Sequence, residues 1–114
     1  MTLREVNEIL GGRVVCGEDK LDREVEYGFA SDLMSDVLTL NTENLLLLTG
    51  LTNLQAIRTS EMSEITNIVF VRNKKVNPDM VQLAKANDMV LIECASSMFK
   101  CAGKLYQAGL KAIY

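Results

Sequence analysis

The spacing of apolar residues changes several times along the chain, and each change marks an element. Leu3, Val6, Ile9 and Leu10 recur at the spacing of one helical face. Thr2 stands at the cap position, Glu5 follows three residues later as a capping box requires, and Gly11-Gly12 stops the helix. Arg13 to Cys16 reads as a short strand, and Gly17 to Arg23 as a polar turn. From Glu24 to Ala30 the residues Val25, Tyr27 and Phe29 alternate with others, which predicts a strand with one buried face. Ser31 or Asp32 then caps a short helical segment carrying Leu33, Met34, Val37 and Leu38.

After residue 43 the pattern becomes regular. Asn44 to Leu48, Asn67 to Val71 and Met89 to Ile92 are continuous apolar runs, as expected of strands covered on both faces. Helical patterns separate them. Thr52 or Asn53 opens one through Leu54, Ile57 and Met62. Asn77, with Pro78 at the first helical position, opens the next through Met80, Val81, Leu83 and Ala84. Ala95 to Ala108 forms the last through Met98, Phe99, Ala102, Leu105 and Tyr106. Gly109 ends it, and Leu110 to Tyr114 is a candidate final strand. Strands joined by single helices imply crossovers of one hand and parallel pairing. The expected fold is therefore α/β: a mostly parallel sheet of about five to six strands with helices on both faces. The whole, residues 1–114, forms one layered domain, with the first third supplying a mixed edge.

Composition narrows the function. A chain of 114 residues, 48% hydrophobic and 24% charged, holds one globular core. Twelve Lys and Arg against fifteen Asp and Glu give a formal charge of -3, so no nucleic-acid partner is expected. Histidine is absent, which excludes Ser-His and Cys-His nucleophile pairs within one chain. The apolar run Leu45 to Leu48 is far too short to span a bilayer, and the N-terminus does not read as a signal peptide. A cytoplasmic protein without a membrane partner is the expectation.

In an open parallel sheet, ligands bind beyond the carboxyl ends of the strands. Those ends carry Ser31 and Asp32, then Thr49, Gly50 and Thr52, then Arg72 and Asn73, then Glu93, Ser96 and Ser97. Three of these loops run into helix N-termini, whose free N–H groups favour anions. The set is a candidate site for a phosphorylated ligand or nucleotide fragment. The competing reading makes the same Ser, Thr, Asp and Asn residues helix caps, with Asp32 an exposed one. Neither a P-loop nor a G-x-G-x-x-G fingerprint occurs. Leu33, Met34, Val37 and Leu38 give their segment more apolar surface than it needs, which makes it a candidate dimer face. Cys16, Cys94 and Cys101 are dispersed; Cys94 and Cys101 are the nearest approach to a metal site, and no cofactor is expected.

On the segments LREVNEILGGRVVCG, EVEYGFASDLMSDVLTL, LLLLTGLTNLQAIRTSEM and PDMVQLAKANDMVLIECASSMFKCAGKLYQAGL, the chain resembles the DRTGG domain family over nearly its whole length. Such domains are similar to the N-terminal domain of HPr kinase/phosphorylase and accompany CBS domains in regulated pyrophosphatases. Where the family has a Thr-Gly-Gly-type stretch, this chain has Val71-Arg72-Asn73-Lys74-Lys75. The resemblance implies a non-catalytic regulatory or assembly module, homodimeric, beside a hydrogenase-type redox or phosphotransfer enzyme. A nucleotide sensor is the alternative. An iron–sulfur-binding, hydrogenase-related protein is a third, which three dispersed cysteines do not support alone.

Overall fold

The computed structural model describes all 114 residues. The chain forms, in order, α1 (Leu3–Leu10), β1 (Arg13–Cys16), a 3-10 turn (Glu18–Lys20), β2 (Tyr27–Ala30), α2 (Met34–Val37), β3 (Leu45–Thr49), α3 (Leu54–Met62), β4 (Asn67–Phe70), α4 (Pro78–Ala86), β5 (Val90–Glu93), α5 (Met98–Gln107) and β6 (Lys111–Ala112). Local chemistry sets the helix starts. Thr2 and Glu5 make the reciprocal capping box on α1, while Asn53, Asn77 and Ser97 cap α3, α4 and α5 through their side chains.

The six strands form one sheet in the order β1-β5-β4-β3-β2-β6. Every pair is parallel except β1 with β5. From β2 to β5 each strand is laid beside the last in one direction. Their connections, α2, α3 and α4, all pack on one face, as crossovers of constant hand require. The chain then crosses back by α5 on the other face, alongside α1, and inserts β6 beside β2. The direction of winding therefore reverses between β2 and β6.

Period-two alternation divides the core. Leu46, Leu48, Val69, Val90 and Ile92 face α1 and α5. Leu45, Leu47, Ile68, Phe70 and Leu91 face α2, α3 and α4. All positions of β3, β4 and β5 are buried, and each large apolar side chain so covered contributes about 1.5–3 kcal/mol.

Two element starts and the placement of one strand differ from the sequence expectation, and the final strand shortens to Lys111–Ala112. β2 begins at Tyr27, because the Val25 N–H donates to the Met1 carbonyl and Glu24 bridges Thr2, tying that stretch to the N-terminus. α5 begins at Met98, because the carbonyls of Cys94 and Ser96 accept from the Asn73 and Arg72 N–H groups. Of the first third, β1 alone forms the mixed edge; β2 is an inner, parallel strand.

Candidate functional site

Four of the residues at the strand ends converge. The Asp32 carboxylate accepts from the Gly50 N–H at 2.6 Å and the Thr49 hydroxyl at 3.1 Å through Oδ1. Its Oδ2 lies 3.3 Å from an Arg72 guanidinium nitrogen. Thr49 Oγ1 also accepts from the Leu51 N–H, and the Thr52 hydroxyl donates to the Gly50 carbonyl. A Cβ on Gly50 would overlap the Arg72 guanidinium, so the glycine lets that group lie across the loop. Arg72 and Asn73 both adopt left-handed backbone, with φ of 63° and 59°, which turns their N–H groups onto the Ser96 and Cys94 carbonyls. The fourth strand's loop is thereby laced to the fifth's. The cluster is satisfied within itself. None of the five surface concavities is lined by Asp32, Thr49, Gly50 or Arg72.

Several expected roles are corrected. Asp32 does not cap α2. Leu33 holds the N-cap position without a side-chain bond, and Ser31 Oγ accepts the Leu33 N–H instead. Glu93 is not part of the strand-end cluster. It is 6% exposed, accepts from the Val76 N–H at 2.8 Å and lies 3.7 Å from Lys75, on the side of the sheet edge lined by Arg13 and α4. Ser97 accepts the Lys100 N–H as the cap of α5. The candidate dimer face divides: Met34 and Val37 are buried in the core beneath α2, while Leu33 and Leu38 are 57% and 47% exposed.

The cysteines also divide. Cys16 belongs to the core on one face of the sheet, and Cys94 and Cys101 to the core on the other. Cys94 and Cys101 touch, Sγ to Sγ, at 3.3 Å. Burial, and then the neighbouring Cys94 thiol, push the Cys101 thiol up to about 12. No set of three His, Cys, Asp or Glu side chains gathers anywhere with the spacing of a metal site. Two touching cysteines without further ligands do not make the larger thiolate set an iron–sulfur cluster takes.

A different feature has the form of a site. Between α5 and the β2–β6 pair runs an apolar cleft of about 300 Å³, nine of whose twelve lining residues are hydrophobic. Its walls include Phe99 and Tyr106 on α5, and its floor is made of small residues such as Gly28, Ala30 and Ala112. Phe99 is 90% exposed and Tyr106 is 70% exposed. The sequence reading placed both inside the helix's buried stripe. That stripe is in fact Cys101 and Leu105, and Phe99 and Tyr106 flank it on the outside. One signal was available: Phe99, Ala102, Gly103 and Tyr106 share a second face at helical spacing.

The arrangement defines a class: a mixed α/β domain wound in both directions from β2, with an apolar cleft on the strands where the winding reverses. Within that class the chain is similar to a solved structure, the CBS and DRTGG domains of the regulatory region of the Clostridium perfringens pyrophosphatase, complexed with an activator, diadenosine tetraphosphate. The TM-score is 0.77 at 11% identity, over 96% of this chain and 47% of that one. This chain therefore spans about half of that region and shares its fold. No protein-family model matches the sequence, and no curated protein matches it.

Proposed function

We propose that this chain is a non-catalytic regulatory module, a DRTGG-like domain akin to the N-terminal domain of HPr kinase/phosphorylase. It acts as a cytoplasmic homodimer beside a redox or phosphotransfer enzyme. Its binding locus is the α5 cleft and not the rim of strand ends. The observation that carries this reading is the exposure of Phe99 and Tyr106 over an apolar cleft between α5 and the β2–β6 pair. Exposed aromatic residues on a small domain mark contact surfaces. The carboxylates a reaction would need are engaged elsewhere: Asp32 holds Gly50 and Glu93 holds Val76.

A second reading has its own support. The structural neighbour was solved with a nucleotide activator, which favours a phosphorylated ligand for this chain as well. Thermal shift assays of the full chain with ATP, diadenosine tetraphosphate and inorganic phosphate, run beside sedimentation velocity, separate the two. The regulatory homodimer reading expects a dimer at tens of micromolar, the range in which weak assemblies persist. A nucleotide at a hundredfold excess over its Kd stabilises by about 2.7 kcal/mol, and a shift of that size establishes the sensor. A monomer with no shift from any phosphate compound overturns both.

A further inference from the structure

Two unpartnered surfaces meet at the carboxyl end of β2. One is the cleft beside Phe99 and Tyr106. The other is the α2 segment, where Leu33 and Leu38 stand exposed at the two caps and Asp36 is exposed between them in sequence. They are neighbours: Ala30 lines the cleft, and Leu33 follows three residues later on the opposite side of the sheet.

Their charges are opposite. All fifteen carboxylate side chains of the chain lie within residues 1–93, whereas the stretch from Cys94 onward holds Lys100, Lys104 and Lys111 and no acidic side chain. The helix α5 thus carries only basic charges on a chain of net charge -3. Lys100 and Lys104 make no ion pair within the chain, and neither does Asp36. The chemistry of the cleft also selects its occupant. A nucleobase in so apolar a groove would leave its hydrogen-bonding edge unmatched, which is costly, whereas leucine side chains lose nothing there. Packing α5 against another α5 about a twofold axis would set lysines against lysines. A segment with apolar anchors and an unpaired carboxylate answers both conditions, and this chain carries one.

We propose that the cleft of one copy receives the Leu33–Leu38 segment of a second copy, and the reverse, about a twofold axis beside the β6 edge. The inference rests on the homodimer reading above and names its contact. Because the pairing is isologous, each contact occurs twice, so two modest patches combine into one interface. The aromatic pair and the two leucines form its core, and Asp36 with Lys100 and Lys104 forms its charged rim.

Sedimentation equilibrium on the full chain tests it. Phe99→Ser, Tyr106→Ser and Leu33→Ser each weaken dimerisation roughly tenfold. These side chains are exposed in the monomer, so circular dichroism remains that of the parent. Asp36→Lys and the double variant Lys100→Glu/Lys104→Glu each weaken it as well, and more so at low salt. Mixing those two charge variants restores association. In the mixed dimer one contact is reversed on both sides and the other is native. A parent that dimerises, loses dimerisation with these substitutions and regains it on mixing establishes the contact. A dimer indifferent to them, or one not restored by mixing, overturns this contact and leaves the homodimer reading standing. A monomer at tens of micromolar overturns both.

Discussion

At the scale of the residue, Asp32 does more than any other group at the strand ends. It binds one loop's backbone and hydroxyl and a second loop's guanidinium. The three contacts are not equal. Arg72 and Asp32 are each about half exposed, so their ion pair contributes less than about 1 kcal/mol. The Gly50 N–H is buried and has Asp32 as its acceptor. Asp32→Ala should therefore cost about 1–3 kcal/mol in urea unfolding, and Arg72→Ala clearly less. Equal losses would show that the guanidinium is the main tie. The sequence placed these residues at neighbouring strand ends but did not show the bonds among them. Asp32 precedes a helix, as capping residues do, but its partners lie 17, 18 and 40 residues away. Cys101 gives a pH prediction. Its folded pKa of about 12 stands above the ordinary thiol value of 9.0, so the folded state holds this proton longer than the unfolded state. Stability from this thiol is complete below pH 9 and is lost as pH rises toward 12. Unfolding midpoints taken between pH 8 and pH 10 should fall, and the fall should shrink in Cys101→Ala.

At the scale of the element, the starts of α1, α3 and α4 agree with the sequence, because capping is chemistry between residues three apart. Thr2 accepts the Glu5 N–H, and Glu5 reaches back to the Thr2 N–H. The Thr2 N–H, and then the Thr2 hydroxyl, donate to the Glu5 carboxyl and hold it below its ordinary range. Thr2→Ala should cost about 1 kcal/mol, read as a lower thermal midpoint. The strand β2 shows the limit of such local reading. Its glycine carries no pattern, yet a Cβ at Gly28 would stand 2.7 Å from the buried Leu110 side chain. Gly28→Ala should therefore cost about 1–3 kcal/mol by forcing Leu110 to move. Unchanged stability would show that Leu110 yields freely against β2. The cleft escaped the sequence for a related reason. Its floor is built from small residues on two elements, and one of those, β6, is two residues long.

At the scale of the whole molecule, the doubly covered parallel sheet was legible from residue 44 on, because continuous apolar runs and single intervening helices leave few alternatives. The return path of α5 across the opposite face was not, since no local pattern records which strand a terminal segment will join. The order of the strands predicts a gradient of protection. Backbone amides in β3 and β4, at the centre of the sheet, should exchange with solvent most slowly, and those of β6 first. Hydrogen exchange by mass spectrometry reads this directly; early exchange in β4 would contradict the topology. The path of α5 also bears on biosynthesis. Strands β2 to β5 and the helices on one side are complete by residue 93, but the other side then has only α1 against it. Leu46, Leu48 and Val69 must wait for α5 to emerge from the ribosome before they are fully sheltered. A chain ending just short of Met98 would thus present a half-dressed sheet, the kind of surface that chaperones hold.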